Sequence, residues 1–99
     1  MPSRKLSTTR YDAAAYLLSE ADQQAYLDAA FEDGDPRVIA AALGDIAKAR
    51  GMTQIARAAG LGRESLYKAL APDSNPEFAT ILKVMQALGF RLHAVQLAK

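Results

Sequence analysis

Apolar positions recur along most of the chain at spacings of three and four with polar residues between them, a pattern that predicts helices almost throughout. Val38, Ile39, Ala42, Leu43 and Ile46 form the clearest stripe. Asp35 is placed to cap that helix, Pro36 falls in its first turn and Gly51 ends it, which predicts the longest helix of the N-terminal half. Upstream, Leu27, Ala30 and Phe31 share one face of a helix opened by Ser19 and Asp22 at near capping-box spacing and closed by DGDP. Asp12, ahead of an Ala/Leu run, predicts a further short helix. Phe78, Ile81, Leu82, Met85 and Leu88 line one side of a last helix, opened by Asn75 and Pro76 and stopped by Gly89. The period changes only in the tail. There Phe90, Leu92 and Ala94 alternate with Arg91, His93 and Val95, which predicts a short C-terminal strand paired with the N-terminal stretch or with a second copy of itself.

Between these stripes lie TQIARAA and RESLYKAL, two short helices about the turn GLG. A dinucleotide-binding loop would need a preceding strand and a third glycine where Ser65 stands, and a P-loop would need a Gly-Lys-Ser/Thr ending. Neither requirement is met. A helix-turn-helix needs a small residue where the helices cross, a turn residue free to take positive φ, and apolar residues fixing each helix to the body. Ala56 is the small residue, Gly60 the turn, and Ile55, Ala59, Leu61, Leu66 and Ala69 the buried set. A plain helical hairpin explains those apolar positions equally well, but not why the outward ones are Arg63, Glu64, Tyr67 and Lys68.

Such residues at the start of a recognition helix suit the major groove. Arg63 is expected to fork onto guanine, Glu64 to accept from a cytosine amino group or orient Arg63, Lys68 to reach guanine or phosphate, and Tyr67 to meet a thymine methyl or a phosphate oxygen. Glu64 and Lys68 also have the spacing of an ordinary surface ion pair. Thr53 and Gln54 open the first helix of the pair, where free amides suit a phosphate oxygen, and Arg57 is placed to touch the backbone.

Charge adds a second theme. Residues 11–45 carry one cation, Arg37, against eight acids, whereas residues 46–71 carry five cations against Glu64 alone. Opposite fields on two halves of one chain suit two partners of opposite charge, although two ordinary solvated faces would give the same count. With 99 residues, one core is expected. No cysteine is present, so disulfides and thiolate metal sites are excluded, and no run approaches the roughly 18 apolar residues a membrane span requires. The expectation is a cytoplasmic protein with no membrane association. His93 stands alone without other ligand types beside it, Asp33 and Asp35 serve helix ends, and Ser65 has no base in reach of its local pattern. Neither a metal, a cofactor nor an enzymatic activity is expected.

The run GDIAKARGMTQIARAAGLGRESLYKALAPDSNPEFATILKVMQALGFRL, with TTRYDAAAYLLSEADQQAYLDAAFEDGDPRVIAAAL before it, closely resembles the addiction-module antidote proteins, the HigA-like antitoxins of bacterial toxin–antitoxin pairs. The resemblance implies a lambda-repressor-like helix-turn-helix fold, binding to double-stranded operator DNA of the protein's own operon, and neutralisation of a RelE/ParE-type toxin. It places Arg63, Glu64, Ser65, Tyr67 and Lys68 on the recognition helix. Met52 stands where many such proteins have Gln, and Gly62 where Ser commonly caps that helix. An RNA-holding toxin is basic, so the acidic segment is expected to cover it, with Asp12, Glu20, Asp22, Asp28 and Glu32 as rim charges and Tyr16 and Tyr26 as anchors. Phe31 is a third candidate anchor; the alternative is that the tyrosines and Phe31 pack in the protein's own core, which for Phe31 is the favoured expectation.

The combined expectation is an all-α, lambda-repressor-like bundle of about five to six helices with a short C-terminal strand, acting as a homodimeric repressor. Its 1–99 single domain would comprise an N-terminal helical extension over 1–34, a DNA-binding core over 35–89 and a tail over 90–99. The alternatives are a stand-alone or phage-type transcriptional regulator with no toxin partner, and an interaction module that has lost DNA binding.

Overall fold

A computed structural model describes residues 19–98. They form five helices: α1 (Glu20–Asp33), α2 (Pro36–Arg50), α3 (Met52–Ala59), α4 (Arg63–Ala69) and α5 (Phe78–Ala87). No strand occurs among the described residues. The helix expected after Asp12 lies outside them.

Local chemistry explains most boundaries. The Ser19 hydroxyl accepts from the Asp22 amide at 3.0 Å and opens α1, and Asp35 accepts from the Arg37 amide at 2.9 Å and opens α2 with Pro36 in its first turn. The last helix starts later than the sequence predicts. Proline disfavours helical backbone in the residue before it, so Asn75 and Pro76 stay outside, and Glu77 is the N-cap, with no side-chain cap bond. Upstream, the Ser74 hydroxyl donates to the Ala69 carbonyl at 2.7 Å and satisfies the end of α4 instead. At the other end of α5, Gly89 has φ +84° and the Phe90 amide reaches the Met85 carbonyl at 2.8 Å, a complete Schellman stop.

The core joins all five helices. Leu27 and Ala30 of α1, Leu43 and Ile46 of α2, Ile55 and Ala56 of α3, Leu66 of α4 and Val84 and Met85 of α5 belong to one buried cluster, with Phe31 packed against it. α3 lies in the middle, in contact with α2, α4 and α5, while α1 packs on α2.

Three polar interactions hold the longer-range arrangement. The Arg50 guanidinium, at the end of α2, donates through Nε to Oε1 of buried Gln23 at 2.8 Å and through Nη2 to the Leu88 carbonyl at 2.9 Å. One side chain therefore ties α2 to α1 and to the C-terminal end of α5, where a cation meets the partial negative charge of the last carbonyls. Tyr26 donates its hydroxyl to Oδ2 of Asp45, joining α1 and α2 a second time.

Several expectations need correction. Residues 90–98 form neither helix nor strand: Phe90 is half-buried against the core, but Arg91 to Ala98 are exposed. Alternation supplies a face, yet a strand exists only where another backbone completes its hydrogen bonds, and none of the described residues does so. Val38, assigned to the buried stripe of α2, is 39% exposed, and Phe78 at the start of α5 is 64% exposed. Helical spacing puts both on apolar faces, but those faces extend past the neighbouring helices that would cover them.

Two glycines give opposite expectations for the same substitution. Gly44 sits inside α2, and a Cβ there would meet Leu70 Cβ at 3.5 Å, an ordinary contact. Gly44→Ala is expected to stabilise the fold by about 0.5 to 1 kcal/mol through helix propensity. Gly60→Ala, at φ +75°, is expected to cost about 1 to 2 kcal/mol. Urea unfolding midpoints of the two variants should move in opposite directions from wild type.

Candidate functional site

The surface around the α3–α4 corner is built by a turn that only a few residues can make. Gly60 closes α3 in the left-handed region, and the Leu61 amide then reaches back to the Ala56 carbonyl at 2.8 Å. That reversal sends the chain through Leu61 and Gly62 into α4. Ile55, Ala56 and Ala59 of α3 and Leu66 of α4 are buried, and Leu61 and Ala69 are half-buried, so the apolar set predicted around Gly60 lies inward. Leu70, not singled out in the sequence, is buried with them.

The polar set lies outward. Thr53, Gln54 and Arg57 are exposed on α3, and Arg63, Glu64, Ser65, Tyr67 and Lys68 are exposed on α4. The first turn of α3 carries no side-chain cap. Arg63 and Tyr67, one turn apart, come together: the guanidinium carbon stands 5.4 Å from the Tyr67 ring centroid, a cation–π contact. The spacing of four residues permits that contact as well as the alternative ion pair of Glu64 with Lys68. That ion pair does not form; the ion pair among the described residues joins Arg37 and Asp35 at 3.3 Å.

A second candidate surface lies on α1. Glu20, Asp22, Asp28 and Glu32 are all exposed, and α1 carries no cation. Helical spacing divides them. Asp22 shares a stripe with Tyr26, Ala29 and Asp33, whereas Asp28 and Glu32 face away from it. Tyr26 is 36% exposed with its ring against the α1–α2 junction and its hydroxyl fixed by Asp45. Burial, the hydrogen bond to Asp45 and the Asp45 charge push its pKa up to about 12. Asp45 was not marked by the sequence, since only the folded contact between residues 19 apart reveals it. Asp12 and Tyr16, the other two residues assigned to this surface, lie outside the described residues. Asp35 belongs to the α2 cap, where hydrogen bonds from the Arg37 amide and guanidinium lower its carboxyl pKa.

None of the described helices is long and apolar enough to cross a membrane, and no group of three or more His, Cys, Asp or Glu side chains among the described residues is placed to hold a metal ion.

The sequence profile of the family described as "probable addiction module antidote protein" matches residues 7–96. The chain belongs to that family. It is also similar to an uncharacterized protein of Haemophilus influenzae, 49% identical over 86 residues that span 87% of this chain and 89% of the relative. No solved structure matches. An antidote family suggests a regulatory rather than an enzymatic protein.

The Tyr26–Asp45 link of this antidote-family chain has a definite titration behaviour. A tyrosine pKa raised on folding means that the neutral hydroxyl stabilises the fold fully below the ordinary value near 10 and that this contribution is lost as pH rises from about 10 to about 12. In a spectrophotometric titration at 295 nm, Tyr26→Phe should remove a phenol that ionises well above the ordinary value near 10. Loss of a phenol that ionises near 10 instead would contradict the link.

Proposed function

We propose that this protein is the antitoxin of a type II toxin–antitoxin module, that α3 and α4 form a lambda-repressor-like helix-turn-helix acting on the operator of its own operon, and that the acidic side of α1 contacts a RelE/ParE-type toxin. The observation that carries the reading is the α3–α4 corner: its apolar residues lock both helices to the core while every polar residue expected to meet DNA stays exposed.

In this reading Arg63 reads a base edge. The ring of Tyr67 supports the guanidinium from one side and leaves its donor edge free for the paired acceptors of guanine. Lys68, with no ion pair to Glu64, is available to guanine or phosphate, and Glu64 to a cytosine amino group. Ser65 lies on the same helix within reach of the backbone. Thr53 and Gln54 at the uncapped start of α3, with Arg57 further along, meet phosphates and set the register. A seven-residue helix is only about 10 Å long and covers a few base pairs, so a homodimer on a palindromic site supplies the missing affinity and specificity.

The acidic residues Glu20, Asp22, Asp28 and Glu32, joined by Asp12 and with Tyr26 and Tyr16 as anchors, complement a toxin whose own surface is basic because it holds RNA. Residues 35–89 then act as the DNA-binding core, residues 1–34 as the toxin-contacting extension and residues 90–99 as a tail. Both activities belong in the cytoplasm.

The test is fluorescence anisotropy on duplex DNA from just upstream of the gene, across a salt series, with Arg63→Ala beside wild type. The expected outcome is tight binding with a steep salt slope, weakened by about 1 to 3 kcal/mol in the variant with relaxed preference at one position. Affinity equal to that for random duplex and indifferent to the substitution would remove operator binding from the reading.

A further inference from the structure

Along α1, Asp22, Tyr26, Ala29 and Asp33 follow one another at intervals of four, three and four residues and so share one helix face. Opposite them, Val38 and Ala41 of α2 complete an open groove of about 580 Å³, bounded by Pro72 from the loop after α4. The floor is made of alanine methyls, which leave depth where larger side chains would fill it. The two large apolar side chains on its walls, Tyr26 and Val38, keep about a third or more of their surface in solvent: 36% and 39%. Tyr26 cannot swing to close the groove, because its hydroxyl is held by Asp45. The Tyr26 wall is therefore held in place.

The charge around this groove is one-sided. Asp33 and Asp35 line it, Asp45 holds the Tyr26 hydroxyl beside it, and Asp22 lies one helical turn before Tyr26; the single cation in the lining, Arg37, is already paired with Asp35 at 3.3 Å. An isologous contact with a second copy would set these carboxylates against themselves. A head-to-tail contact with the basic α3–α4 face of a second copy would build rings or filaments and would occupy the surface proposed for DNA. A different, cationic protein fits both the apolar floor and the acidic rim.

We infer that the α1–α2 groove is the anchor site for a basic protein partner: one apolar side chain of a Lys/Arg-bearing segment seats between Tyr26 and Val38 over Ala29 and Ala41, and its flanking cations meet Asp22 and Asp33. The inference rests on the toxin-binding half of the proposed function for the partner's identity, and adds to it the α2 wall and the fixed Tyr26 ring. It makes α2 as much a part of the binding surface as α1, and it leaves Asp28 and Glu32, on the outward stripe, as long-range steering charges.

The test uses the full chain and, as probe, the purified small protein encoded beside its gene, titrated by calorimetry at moderate salt. Ala29→Arg and Val38→Arg each place a bulky cation in the groove from a position already open to solvent. Gln24→Arg adds the same charge to an exposed site on α1 away from the stripe. Both groove variants are expected to weaken binding on the order of tenfold or more, and Gln24→Arg by less than about threefold. Unchanged circular dichroism and operator affinity confirm that each variant is folded. Equal weakening by all three variants, or full affinity in both groove variants, would overturn the groove and leave the antitoxin reading standing. A probe that fails to bind wild type would overturn the toxin-binding reading and the groove with it, while the operator titration still judges DNA binding separately.

Discussion

The Arg50 guanidinium is the point on which the arrangement of helices turns. Its two hydrogen bonds run to residues 27 and 38 positions away, one before it in the chain and one after. A part-buried charge with two hydrogen bonds made at good distance is held in place, whereas the same charge left unpaired would be costly to keep there. Through it the end of α2 is tied at once to α1 and to the final turn of α5, and the shorter α3 and α4 occupy the space between. The apolar cluster supplies the driving force for collapse, but apolar contact is not directional. Arg50 and Gln23 add direction, because the guanidinium's hydrogen bonds are made only where α1 and the end of α5 both lie within reach of the end of α2.

The α3–α4 corner depends on this frame rather than on its own strength. Isolated helices of eight and seven residues are too short to persist in water. They hold their angle because Ile55, Ala56 and Leu66 are inserted into a cluster already organised by α2 and α5, and because Gly60 permits the reversal. The polar residues outside are thereby presented on a rigid support. The cation–π contact of Arg63 with Tyr67 extends that rigidity one step further, from backbone to side chain.

Much of this was legible in the sequence, and what was legible was local. Ser19 and Asp35 announce helix starts and Gly60 and Gly89 helix stops because capping and left-handed turns are decided within a few residues. The inward set around Gly60 follows from spacing alone, and so does the outward position of Arg63, Tyr67 and Lys68. Long-range chemistry was not legible: nothing in the string relates Arg50 to Gln23 and Leu88, or Tyr26 to Asp45. The same limit explains Val38 and Phe78, since periodicity reveals an apolar face but not where the covering neighbour ends. It also explains the tail, whose alternation describes half of a ladder.

Alanine does two different jobs in this small protein. Inside, Ala30, Ala42, Ala47 and Ala56 are buried with almost no side chain of their own, so the backbones of adjacent helices approach closely and the core has few rotatable bonds to reorder. Outside, the same residue type at Ala29 and Ala41 sets the depth of the furrow between α1 and α2. The contour of that furrow is consequently a cast of the main chain, stiff as the helices are stiff, and a partner would read backbone spacing there more than side-chain conformation.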